Sequence, residues 1–86
     1  MVKLDLGCGK QKSEGYIGID IVKTPCVDIV HDCEQELLFD DNYADEIRAY
    51  DFLEHIHRDK VIFLFNEIYR VLKPNGILDF QVPDAS

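Results

Sequence analysis

The 86-residue sequence has no apolar run long enough to cross a bilayer as a helix, which takes about 20 predominantly apolar residues. It opens at Val2-Lys3-Leu4-Asp5 without a signal-peptide pattern. Together these absences predict a cytoplasmic protein with no membrane partner. The three cysteines, Cys8, Cys26 and Cys33, are odd in number and form no C-x-x-C pair, which excludes a secreted disulfide framework and predicts reduced thiols. Basic residues are scarce, with nine Lys and Arg against 17 Asp and Glu and a formal net charge of -8. Nucleic-acid binding draws much of its strength from basic side chains that replace counterions, and no basic stripe exists to supply it. The acidic stretch formed by Glu34, Glu36, Asp40-Asp41 and Asp45-Glu46 would repel a phosphate backbone; a solvated acidic surface accounts for it most simply. There is no internal repeat, low-complexity stretch or interdomain linker, so residues 1–86 are expected to form a single domain. His55 and His57 lack the H-E-x-x-H spacing, and no other paired ligand pattern predicts a bound metal.

What is present points to a packed α/β core. Hydrophobic residues make up 47% of the chain, enough to argue against disorder despite the charge. Short apolar, β-branched segments recur at Val2-Leu6, Tyr16-Ile21, Val27-Val30, Ile47-Tyr50 and Ile77-Val82, each bounded by Gly, Pro, Asp or Asn, and predict strands. Several are apolar at successive positions, as suits strands of a parallel sheet covered on both faces. Val61, Leu64, Phe65, Ile68, Val71 and Leu72 recur at the spacing of one helix face. Pro74 and Asn75-Gly76 then predict the helix end and a turn tolerant of positive φ. A weaker helical turn is expected at Glu34-Leu38, and Phe63 and Phe65 are expected to pack helix on sheet. Parallel strands need crossovers of about a dozen residues when these include a helix. Segments 31–46 and 51–76 are roomy enough, but 7–15 and 22–26 are not, so one sheet face is expected to lack covering helices.

The chemistry lies at the ends of the predicted strands. The first runs into Gly7-Cys8-Gly9, a glycine turn at the carboxyl end of a parallel strand, where ligands bind in such sheets and the backbone can approach them closely. The second ends in Asp20, whose carboxylate can accept hydrogen bonds from both hydroxyls of a ribose; Asp also ends strands in turns for purely structural reasons. After the third, Asp32 and the backbone N–H of Cys33 can read an adenine edge, although Asp32 would equally serve as a helix N-cap. His55 follows the fourth strand closely enough to act as a general base on a substrate, or else to sit as a polar residue ahead of the long helix.

The order LDLGCG, GYIGIDI, VDIVHDC, YDFLEH and YRVLKPNGIL resembles class I S-adenosylmethionine-dependent methyltransferases across nearly the whole chain. It is most similar to small members of the type 11 kind, in which a K-x-x-G-Y-I-G-D style motif takes the place of the first helix. The resemblance implies a Rossmann-like α/β fold with a parallel sheet in strand order 3-2-1-4-5. It also implies S-adenosyl-L-methionine as cofactor and methyl transfer to an unidentified acceptor. Residue by residue, Asp5, Gly7, Cys8 and Gly9 match the loop around the methionine portion, and Asp20 the ribose-binding acid. Ile21 matches the apolar position against adenine, Asp32 and Cys33 the groups at the adenine edge, and Tyr50 and Asp51 the fourth-strand tip facing the sulfonium. Asn75 stands where the family usually has glycine.

The rival enzyme reading is a nicotinamide-dependent oxidoreductase. Its fingerprint needs a third glycine where Lys12 stands, and an acid about 20 residues on, later than Asp20. A noncatalytic, oligomerising domain that keeps the fold is the alternative of a different class. The sequence stops at Val82-Pro83-Asp84-Ala85-Ser86, where the family usually continues through further strands. From that we expect a partial domain with an open fifth strand and a homo-oligomer, most simply a twofold dimer.

Overall fold

Helix-spaced apolar residues and a sheet of short strands build the molecule seen in a computed structural model, which describes residues 1–8, 14–33, 35–50 and 57–81. The side chains of Tyr50 and Gln81 fall outside that description. The elements are β1 (Lys3–Leu6), β2 (Ile17–Asp20), β3 (Ile29–Val30), β4 (Ala44–Tyr50), α1 (Arg58–Val71) and β5 (Leu72–Gln81).

The sheet is parallel throughout, in the order β3-β2-β1-β4-β5. This is the expected order. It reverses direction between β1 and β4, the kind of switch point at whose carboxyl-end side ligands bind in open parallel sheets. In register, Leu4 lies between Ile17 and Ile47, and Asp5 between Gly18 and Arg48. Because side chains alternate across a strand, Leu4, Leu6, Ile19, Ile47 and Ala49 share one face, and all are buried. On the other face Lys3, Asp5, Glu46, Arg48 and Asp79 follow one another across β1, β4 and β5.

α1 covers the apolar face. Its Leu64, Ile68 and Val71 are fully buried, each position contributing about 1.5–3 kcal/mol by leaving water. Phe65 meets Phe80 edge to face at 5.9 Å, the helix-on-sheet packing expected for it, whereas Phe63 is partly exposed. The N-terminus of α1 is closed by His57, whose Nδ1 accepts from the Asp59 N–H at 3.4 Å. His57 therefore lies at the cap and not within the helix.

Four local expectations are corrected. Residues 35–38 form no helix: the Gln35 N–H closes a turn on the Asp32 carbonyl, but the Leu37 N–H goes to Glu67 and the Leu37 and Phe39 carbonyls go to Arg70. Side chains of α1 take the backbone groups that a helical ladder would have used. β4 begins at Ala44 because Asp45 exchanges bonds with Val2, its Oδ2 accepting the Val2 N–H and its own N–H donating to the Val2 carbonyl, both at 2.8 Å. The helix stops at Val71, with Leu72 already extended at φ -71° and ψ 139°, so Leu72 opens β5 instead of joining the helical face. Neither Asn75 nor Gly76 takes positive φ. Gly76 is required for space instead, since a Cβ there would lie 2.7 Å from Leu72 Cδ2 and 2.9 Å from the Lys73 carbonyl oxygen. It sits where β5 bulges past Ala44–Glu46.

Candidate functional site at the strand tips

The carboxyl ends of β1, β2 and β3 lie side by side, because these strands are hydrogen-bonded neighbours running the same way. After β1 the chain reaches Gly7, which adopts φ 65°, a left-handed conformation that favours glycine. The Gly7 N–H donates to the Ile19 carbonyl at 2.7 Å and the Cys8 N–H to the same oxygen at 3.4 Å. The turn thus folds back onto the tip of β2. Gly7 acts here through its backbone geometry, with its N–H already committed to the protein. Cys8 is buried, and its Sγ lies 3.8 Å from the Cys26 carbonyl oxygen, to which it donates.

At the tip of β2, Asp20 Oδ1 accepts from the N–H groups of Ile21 at 2.7 Å and Val22 at 3.3 Å. This is the strand-ending turn that was the structural alternative for Asp20, and it also fixes the carboxylate at the sheet's rim. Beside it Ile21 and Val22 are 60% and 62% exposed and Val30 is 52% exposed. Aliphatic side chains are thus left uncovered next to a fixed carboxylate. The His31 N–H donates to the Asp20 carbonyl at 3.0 Å, which carries the chain from β3 across to Asp32 and Cys33.

Cys33 is 4% exposed. Burial first, then the negative charges of Asp20 and Asp32 and the Cys8 thiol, push its pKa up to about 12. One buried thiol therefore senses three other residues assigned from sequence to the cofactor, and Cys8, Asp20, Asp32 and Cys33 form one neighbourhood. Asp5 is placed differently. It is buried within β1, one residue before the strand ends, on the charged face in register with Arg48. Ile21 stands at the rim, and Tyr50 ends β4 in register with Gln81. Gly9, Asp51 and His55 lie outside the described residues. Among the described residues, no three His, Cys, Asp or Glu groups are placed to hold a metal ion.

Two groups of residues were not singled out by the sequence. Arg70 and Glu67 tie the segment after β3 to the last turns of α1; their i,i+3 spacing was the available signal. On the charged face, Tyr16 lies beneath Arg48, whose guanidinium carbon is 4.4 Å from the ring centroid, and donates its hydroxyl to Glu46. No pattern in the sequence links those three residues.

The family model described as "Methyltransferase domain" matches residues 4–80, from within β1 to nearly the end of β5. No curated protein and no solved structure matches the chain.

Proposed function

The chain belongs to the methyltransferase-domain family, with a class I, Rossmann-like sheet, and from that premise we propose that it binds S-adenosyl-L-methionine at the tips of β1, β2 and β3 and transfers the methyl group to an acceptor. The observation that carries this reading is the cluster of strand tips that brings Cys8, Asp20, Asp32 and Cys33 together, the Cys8 N–H bonding the Ile19 carbonyl and the His31 N–H the Asp20 carbonyl. Its chemistry suits an adenosyl sulfonium. Carboxylates accept from ribose hydroxyls and an exocyclic amine, and the exposed Ile21 offers an apolar surface to a purine ring. Two carboxylates also favour a cation, and the third glycine that a nicotinamide dinucleotide fingerprint needs is replaced by Lys12, which weighs against that reading.

In this reading Asp20 holds the ribose, Ile21 supports the adenine, and Asp32 with the Cys33 N–H reads its edge. The resemblance assigns Asp5, Gly7, Cys8 and Gly9 to the methionine portion, and Tyr50 and Asp51 to the sulfonium. Bound there, the cofactor would supply an electrophilic methyl for a lone pair on the acceptor. The protein's part is to align the two, exclude water and, where the acceptor loses a proton, receive it. His55 is the residue proposed for that last role. A homo-oligomer, most simply a dimer that covers the sheet face expected to lack helices or pairs strand edges, belongs to the same proposal, and sedimentation at several concentrations checks it.

Calorimetry with S-adenosylhomocysteine tests the cofactor site. The unaltered chain is expected to bind, and Asp20→Ala to weaken binding by about tenfold or more, the loss of charge-assisted hydrogen bonds to ribose. Equal affinities for the two chains would remove Asp20 from the site. Tight NADH binding would favour the oxidoreductase, and binding of neither would favour a noncatalytic domain.

A further inference from the structure

The segment after β3 carries Asp32 and Cys33, yet its farther half is bonded by side chains some 30 residues later in the sequence, in the last turns of α1. The Arg70 guanidinium donates to the Leu37 carbonyl at 3.0 Å and to the Phe39 carbonyl at 2.8 Å. It also binds Asp41 at 2.8 Å and both carboxylate oxygens of Glu67. Glu67 Oε1 in turn accepts the Leu37 N–H at 2.9 Å. From Leu37 the connection continues inward. His31 Nε2 lies 2.8 Å from the Glu36 carbonyl oxygen, and the Gln35 N–H donates to the Asp32 carbonyl at 3.0 Å. Cys33 and Leu37 are both buried in the core that includes Leu64, Ile68 and Val71 of α1. A planar guanidinium can serve two carbonyls and two carboxylates at once because its five N–H donors have a fixed geometry, which a lysine ammonium cannot reproduce.

We propose that Arg70 and Glu67 are positioning residues for the adenine end of the cofactor site, holding residues 31–33 and 35–37 in the conformation that presents Asp32 and Cys33. The inference rests on the cofactor reading above, but the clamp itself has an independent readout. A role of this kind controls discrimination between bases, whereas a purely structural role would change stability and leave discrimination intact.

The test compares the unaltered chain with Arg70→Lys and Glu67→Gln, with circular dichroism used to keep only variants that retain the fold. Amide hydrogen exchange is expected to speed up at His31, Gln35 and Leu37 in Arg70→Lys while β4 amides are unchanged, with a smaller effect in Glu67→Gln, whose amide oxygen can still accept from Leu37. In calorimetry, Arg70→Lys should bind S-adenosylhomocysteine about tenfold more weakly and lose most of its preference over the hypoxanthine analogue, S-inosylhomocysteine. Unchanged exchange at residues 31–37 would overturn the clamp, and an intact preference in a weakened binder would reduce it to a structural role. If the unaltered chain binds no S-adenosylhomocysteine, the cofactor reading fails and takes the adenine role with it, and the exchange data then decide separately whether the clamp orders the segment.

Discussion

The two faces of this sheet are held by different physics. On one, Leu4, Leu6, Ile47 and Ala49 are sealed under α1, a contact that needs only apolar volume and close fit. On the other, Lys3, Glu46, Arg48 and Asp79 are organised around the Tyr16 ring, which Arg48 and Lys3 approach at 4.4 and 5.4 Å. Arg48 lies 4.0 Å from Asp79. The comparison teaches that a sheet face over which the described residues place no helix need not present an apolar patch: here charged groups and one aromatic ring form the layer. The first face should dominate stability, because burial scales with area while ion pairs of limited burial contribute little.

The largest expected effect is therefore on the covered face. Ile68→Ala removes a fully buried side chain and should cost about 3 kcal/mol in urea unfolding, transfer and cavity terms together. Tyr16→Phe, on the other face, keeps the ring under Arg48 and loses only the bond to Glu46, a loss of about 1 kcal/mol. A larger cost for Tyr16→Phe than for Ile68→Ala would invert the comparison.

Titration sharpens it. Donation to Glu46 and then burial raise the Tyr16 pKa from 10.0 to about 12, so the neutral phenol is favoured in the folded chain. Its contribution is full below pH 10 and is lost as pH rises toward about 12. Unfolding midpoints measured across that range should fall, and less so in Tyr16→Phe. Glu67 acts in the opposite direction. The Arg70 guanidinium foremost holds its carboxyl below 4.5, so its contribution is present above that pH and disappears as pH falls through the lowered value. Glu67→Gln should therefore lower the unfolding midpoint at neutral pH, and its difference from the unaltered chain should shrink as pH falls through the lowered value.

The smallest effect is chemical. Cys33, buried and with its thiol pushed up to about 12, should resist a thiol-specific reagent at neutral pH, while the half-buried Cys26 reacts first. Labelling of Cys33 ahead of Cys26 would mean that the strand tips open readily.

Much of this was legible in the chain. The 3.6-residue spacing of Leu64, Ile68 and Val71 fixes which helix face is buried, since only that stripe can leave water together. Glycine at position 7 and acids at 20 and 32 mark the ends of successive strands, and motif order with family resemblance supplied the strand order. Local sequence could not show what long-range partners impose. It predicted a helical turn after Glu34, but Glu67 and Arg70, some 30 residues later, take those backbone groups. It read Gly76 as a matter of φ, but the approach of Leu72, Lys73 and Asp45 makes it a matter of space. The sequence by itself determined the periodicities and the chemistry carried to each strand tip, because these depend on residue type and spacing along one segment. Only the tertiary structure decided that Cys33 sits among Cys8, Asp20 and Asp32, that Tyr16 lies under Arg48, and that α1 clamps the segment after β3. Each of these depends on groups distant in sequence meeting in a low-dielectric interior or on a shared face, where burial and register set their energies.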